Sequence, residues 1–250
     1  MHQHNWILLR GLTRESGHWG EFLTQFEQAM PASRVTALDL PGNGQLFQQR
    51  SPVSVQVMLE HCRQQLKAQS VAPPYHFLAM SLGAMVVVAW AQVYPHEVTA
   101  HVLINTSMRP FSPFYERLRS PNYITLLKLI LLDTSAQQWE SAILRMTTQH
   151  AHGDVLSQWL ALRQAHPVSR ANAFRQLIAA ARFCATPDRC VARVLLLASE
   201  ADQLVNVHCS KVLAEHWQCA LRLHPTAGHD LPLDAAPWVI EQVRQWLDNA

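Results

Sequence analysis

Charge is scarce in this 250-residue chain: Asp, Glu, Lys and Arg make up 15% of it, against 49% hydrophobic residues. That leaves too little charge for a disordered or coiled-coil chain and enough apolar material for one sizeable core. Basic runs are missing too. The 20 basic residues nearly cancel the 18 acidic ones, giving a formal net charge of +2, and they are scattered. No stripe exists that would track a phosphate backbone, so nucleic acid is not an expected partner. No apolar run approaches the roughly 20 residues that cross a bilayer, so no membrane span is expected. Polar His2, Gln3 and His4, then a short apolar run closed by Arg10, do not form a secretory signal. A cytoplasmic location is expected. Cys62, Cys184, Cys190, Cys209 and Cys219 are odd in number and form no C-x-x-C pair, which argues against a disulfide framework or structural zinc and suggests mostly buried thiols. Repeats and low-complexity tracts are absent.

What is present is an alternation. Short Val/Ile/Leu runs at 6–9, 34–38, 76–80, 101–105, 194–198 and 221–223 read as parallel strands. Helical patterns fall between them at 18–30, 53–68, 82–94, 207–216 and 235–248; Leu59, Cys62 and Leu66 show the three-to-four residue repeat of a helix packed on a sheet. The expected fold class is α/β, a doubly wound, mostly parallel sheet of about six strands. Residues 108–189 break the alternation: helical segments at 123–132, 136–150, 155–165 and 171–185 are punctuated by prolines and hold no convincing strand. The expected organisation is a core of 1–107 and 190–250, with 108–189 inserted as a helical cap.

The segment around Ser81 carries the most chemical information. A buried strand runs straight into Ser81, followed by Leu82, Gly83 and a strongly apolar helix. A serine at such a junction sits on a tight turn with its hydroxyl projecting, and Ala79 and Gly83 are the small neighbours that crowding there requires. The helix start also offers unpaired N–H groups to a developing oxyanion. The plain alternative is that Ser81 merely caps the helix.

Two distant residues favour the first reading. Asp202 follows the strand at 194–198, and His229 follows the last strand in the run Thr226, Ala227, Gly228, His229. In open α/β sheets ligands bind at the carboxyl ends of the strands, so all three can meet there. A serine hydroxyl needs an imidazole to take its proton and a carboxylate to orient that imidazole. Glu200 and Asp230 are the other candidate acids, and His76, His208 and His224 the other bases. Asp39 is read as shaping the turn before Gly42. The pairs His2/His4 and His150/His152 lack carboxylate or cysteine companions at ligand spacing, so no metal and no cofactor are expected.

These residues resemble the motifs of the α/β-hydrolase superfamily. Ala79-Met80-Ser81-Leu82-Gly83 resembles its nucleophile elbow, and Asp39-Leu40-Pro41-Gly42-Asn43-Gly44 its D-x-P-G-x-G turn. Asp202 and His229 fall where its acid and base belong. Its oxyanion loop usually reads His-Gly; here it is Arg10-Gly11-Leu12, which sets a permanent charge beside the site. The resemblance implies an α/β-hydrolase fold, oxyanion N–H groups from Leu12 and Leu82, and Arg10, Gly11 and Met80 against the substrate. Relatives that act as haloalkane dehalogenases or epoxide hydrolases carry Asp at the elbow, so Ser81 points elsewhere. The chain is similar to small cytoplasmic serine carboxylesterases, such as the one that cleaves pimeloyl-carrier methyl ester. The implied reaction is hydrolysis of a small-molecule ester or thioester through an acyl-enzyme. The rivals are a non-catalytic receptor of small apolar molecules and an aminopeptidase-type hydrolase, which would need an acidic group in the cap from among Glu116, Asp133, Glu140 and Asp154. Arg109, Arg117, Arg119 and Lys128 form either a docking face for an acyl carrier protein or, more simply, a solvated helical face.

Overall fold

The computed structural model describes residues 4–150, 153–187 and 192–249. His2, His152 and Cys190 lie outside the described residues, and with them one member of each H-x-H pair. Six strands, β1 (His4–Leu9), β2 (Ser33–Leu38), β3 (Tyr75–Met80), β4 (Val98–Ile104), β5 (Arg193–Ser199) and β6 (Ala220–His224), form one sheet in the order β2-β1-β3-β4-β5-β6. Every neighbouring pair is parallel, so the sheet is wholly rather than mostly parallel. The largest departure from expectation is β4. It begins at Val98, paired with Tyr75 ahead of a register shift, and stops before Asn105, whose φ of 44° turns the chain out of the sheet.

The helices are α1 (Glu21–Ala29), α2 (Val55–Ala68), α3 (Leu82–Val93), α4 (Phe114–Arg117), α5 (Tyr123–Leu131), α6 (Ala136–Thr147), α7 (Val155–Ala165), α8 (Arg170–Arg182), α9 (His208–Trp217), α10 (Leu231–Asp234) and α11 (Ala236–Asp248). Strand side chains alternate between two cores, as the two-residue period of a strand requires. Ile7, Leu9, Phe77, Ala79, Leu103 and Leu196 pack with α2, α3 and α9, while Trp6, Leu8, Leu78, Met80, Val102 and Leu197 pack with α1 and α11. Helix α3 is buried from Leu82 to Ala91, between the sheet and α2, which is why its sequence is apolar on all sides. Helices α4–α8 all lie between β4 and β5. Four of them, α5–α8, share a smaller cluster of Leu129, Trp139, Ile143, Met146, Trp159 and Ala173. Of the described cysteines, Cys62 and Cys209 are buried, Cys219 partly so, and Cys184 is exposed, so fewer thiols are buried than expected.

Strand order locates the crevice. From β1 the sheet grows to β2 on one side and to β3 on the other, so winding reverses between β1 and β3, and the loops leaving their carboxyl ends splay apart there. Those loops begin at Arg10 and at Ser81.

Three histidines are buried away from the crevice chemistry. Burial lowers His101 to about 4, and neither of its ring nitrogens has a partner among the described residues. Burial, with the charges of His4 and Arg193, lowers His76 to about 4; burial, then the Arg14 and Arg10 charges, holds His18 well below its ordinary value. These side chains are neutral in the fold but titrate near 6.5 once unfolded, so between those values the unfolded chain binds more protons. Their contribution is therefore complete above about pH 6.5 and is lost as pH falls toward 4, by about 3 kcal/mol for His101. The thermal midpoint should fall steadily over that window, and His101→Leu should flatten the fall. An unaltered pH profile in that variant would contradict this assignment.

Candidate active site

Ser81 links the last residue of β3 to the first of α3 with φ 52° and ψ −119°, a left-handed conformation that a serine holds only when its surroundings impose it. Its N–H donates to Ile104 O at 3.0 Å, and Thr106 Oγ1 donates to its carbonyl at 3.1 Å. It occupies the N-cap position of α3, yet its side chain makes no capping bond. The capping explanation for this serine therefore fails. Gly83 is needed for a contact that differs from the expected one: a Cβ there would lie 2.6 Å from Arg10 O and 2.7 Å from Leu9 O. The helix is pressed against the end of β1, not only against its own strand.

His229 and Asp202, each in a loop after the carboxyl end of a strand, meet. Nδ1 of His229 lies 2.8 Å from Asp202 Oδ2, with both side chains nearly buried. A carboxylate only accepts, so the proton sits on Nδ1 and Nε2 is left as the acceptor. The other oxygen of Asp202 accepts from the N–H groups of Leu204 and Val205 at 2.7 and 3.0 Å, which fixes the carboxylate plane. The loop carrying His229 is held by groups with no obvious sequence signal. Asn105 Nδ2 donates to His229 O at 2.8 Å, and its Oδ1 accepts from Ser199 N–H at 2.9 Å. A Cβ on Gly228 would lie 2.5 Å from Thr147 O, so glycine lets this loop pass against the end of α6.

Ser81 and His229 line one cavity of about 400 Å³, together with Arg10, Gly11, Leu12, Met80 and Leu82 from the core. Its far wall is mostly apolar, built from α4, α5, α6 and α8 with Phe114, Leu126, Trp139, Ile143 and Leu177 among its residues. Asp202 does not reach the cavity; it stands behind His229. Among the described residues, neither the Leu12 nor the Leu82 N–H donates a hydrogen bond, and no bond joins Ser81 Oγ to His229. Contacts of the latter kind are commonly long until a substrate is seated.

Arg10 departs from expectation. It lines the cavity, but its guanidinium does not present a free charge there. Both its terminal nitrogens bond the carboxylate of Asp230, with Nη1 to Oδ1 at 2.9 Å, and Nη1 also meets Met80 Sδ at 3.0 Å. Its other face lies 4.8 Å from the Trp19 ring centroid. This fork-on-fork pair removes Asp230 from the candidate acids. Glu200 is exposed, and His224 is occupied in accepting backbone N–H groups of Thr226 and Ala227. His76 meets the His4 ring edge-on and the Trp6 ring at a tilt in the first half of β3, and His208 begins α9; neither lines the cavity. Asp39 accepts from Ser16 and Gln45 N–H at 2.6 and 3.0 Å, a turn-shaping role. Of the four basic residues after β4, Arg117 and Arg119 are tied to carbonyls of Ala180 and Asp202.

No group of three potential metal ligands occurs among the described residues, and no helix among them is long and apolar enough to cross a membrane. No individually curated protein sequence matches the chain. Solved structures resemble it throughout. A thermophilic esterase from Thermogutta terrifontis is 17% identical, with a TM-score of 0.78, covering 98% of this chain and 90% of its own. The hydrolase olei00960 from Oleispira antarctica is 16% identical, with a TM-score of 0.79 over 100% and 93%. A structure from work on carboxylesterases of Nitrososphaera gargenis is 13% identical, with a TM-score of 0.79 over 98% and 90%. At such identities the likeness concerns the fold. The sequence pattern of the alpha/beta hydrolase family, by contrast, matches residues 6–242. Since that match runs from the first buried strand into the last helix, the chain belongs to the alpha/beta hydrolase family.

Proposed function

We propose that the protein is a serine hydrolase that cleaves carboxylic esters, or thioesters, of uncharged apolar acyl groups. The observation that carries this reading is the uncapped Ser81 hydroxyl on a left-handed turn, opening on an apolar cavity that His229 also lines. In this reading Ser81 Oγ bonds the substrate's carbonyl carbon while its proton passes to His229 Nε2. The Leu12 and Leu82 N–H groups receive the negative oxygen, and Asp202 stabilises the imidazolium. Collapse breaks the bond to the leaving group, which takes the proton from His229. A water then loses a proton to the same Nε2, attacks the acyl carbon, and frees the acid and Ser81. Residues 108–189 act as the cap that supplies the apolar wall.

The state of Arg10 supports the substrate class. Because Asp230 neutralises it, Arg10 offers no open charge to a carboxylate on the acyl chain, and Arg117, which lines the cavity without an acid partner among the described residues, spends its guanidinium on the Ala180 and Ala181 carbonyls. An aminopeptidase reading gains nothing: Glu140 is paired with Arg14 and Arg163, Asp133 is exposed, and Glu116 and Asp154 lie outside the cavity lining.

Three outcomes follow. A fluorophosphonate probe should label wild type and leave Ser81→Ala unlabelled; folded wild type that resists the probe would turn the reading toward the receptor. Asp202→Asn should lower kcat by about 10³- to 10⁴-fold with the fold retained, since the imidazole loses its tautomer and its counter-charge; near-normal turnover would remove Asp202 from the mechanism. Across p-nitrophenyl esters from acetate upward, kcat/KM should rise by up to roughly fourfold per methylene while the chain still fits, and an ω-carboxylate on the acyl chain should cost about tenfold or more. Preference for the charged acyl group would refute the proposed substrate class.

A further inference from the structure

The segment bearing Leu12 is a four-residue turn, Gly11 to Arg14, closed by Arg14 N–H to Gly11 O at 3.2 Å. Its third residue, Thr13, has φ 59°, a region that β-branched residues avoid unless held. The turn's own bond uses neither of its central amides, those of Leu12 and Thr13. Thr13 N–H donates to Gln176 Oε1 on α8 at 2.8 Å, whereas Leu12 N–H has no acceptor among the described residues and its residue lines the cavity. Gln176 is fully buried and has no part in the cavity wall. Its Nε2 donates to Asn43 Oδ1 at 2.7 Å and to Ser51 Oγ at 3.1 Å, and Asn43 Nδ2 returns to Arg14 O at 3.0 Å. One glutamine thus closes a ring of hydrogen bonds around the strained half of the turn. A second tie runs parallel to it: Arg14 Nη1 bonds Glu140 of α6 at 2.7 Å, and the guanidinium lies 4.4 Å from the Trp159 ring of α7.

Resting on the proposed serine-hydrolase reading, we propose that Gln176 is a positioning residue: by taking the Thr13 amide it sets the turn that aims the Leu12 amide, and so couples the seating of α8 to oxyanion stabilisation. A glutamine that only satisfied buried polar groups would contribute to stability without any bias toward the transition state. The coupled role instead requires that its loss be felt when the tetrahedral oxyanion forms and little when the ester binds.

Gln176→Met, close in volume and lacking the acceptor, supplies the test. With p-nitrophenyl butyrate, kcat should fall about 10- to 100-fold while KM stays within about threefold. Affinity for a trifluoromethyl ketone, which presents the oxyanion, should fall by the same factor as kcat/KM. Asn172→Ala, which removes a neighbouring α8 bond to Ser51 but none to the 11–14 turn, should keep kcat. Equal loss of kcat in both variants, or wild-type kcat in folded Gln176→Met, would overturn the proposal. Amide hydrogen exchange over residues 10–15 should accelerate in Gln176→Met whether or not wild type cleaves esters, so an inactive wild type counts against the proposed function, and unchanged exchange counts against Gln176. Should Gln176→Met not fold, Gln176→Ala decides: it removes the same acceptor and leaves room for water, so kcat should again fall about 10- to 100-fold and the exchange protection at 10–15 should be lost with it. Collapse of kcat with that protection intact would be contrary evidence.

Discussion

The tight turn at Ser81 governs the geometry around it. A left-handed serine between a buried strand and a buried helix persists only if the neighbours leave no alternative. Here Ser81 N–H is committed to Ile104 O in β4, and the following helix is driven onto the carbonyls of Leu9 and Arg10, a contact that only the missing side chain of Gly83 allows. That pressure brings the end of β1 alongside Ser81. The nucleophile candidate and the loop beginning at Arg10 therefore share a rim because three central strands, β1, β3 and β4, fix a single backbone path.

Around that rim, charge is present but is consumed internally. Arg10 is paired with Asp230, Arg14 with Glu140, and Glu140 again with Arg163, all at buried or nearly buried positions. Buried ion pairs gain little net stability relative to apolar packing, but removing one partner strands the other charge and costs several kcal/mol. Their effect is geometric. The Arg10 pair joins the loop after β1 to the residue following His229, and the Arg14 pair joins the same loop to α6. The cavity surface left over is predominantly apolar, with Arg117 bonded to carbonyls of α8 rather than to an acid, consistent with the uncharged acyl groups proposed as substrates.

Much of this was legible along the chain, for identifiable reasons. Strands buried on both faces write themselves as short unbroken Val/Ile/Leu runs, and the α2 pattern of Leu59, Cys62 and Leu66 gives the helical period directly. Ser81, Asp202 and His229 each sit just after a strand, so the rule about carboxyl ends was enough to bring His229 and Asp202 into contact and to set Ser81 and His229 on one cavity. Less was readable where a residue's partner lies far away. Arg10 looked like an open charge because nothing local reveals that Asp230, 220 residues on, closes over it. Asn105 and Gln176 carried no signal beyond a polar residue in an apolar setting.

Sequence by itself determined the periodicities, the order of Ser, Asp and His, and the small residues flanking the elbow, because each follows from local backbone sterics or from the two- and 3.6-residue repeats of strand and helix. Tertiary structure decided which charges remain open, which backbone amides stay unbonded, and which strand the elbow helix leans on. Those outcomes depend on distances between segments remote in the chain, and a hydrogen bond or ion pair exists only once the fold has set both partners within about 3 Å of each other.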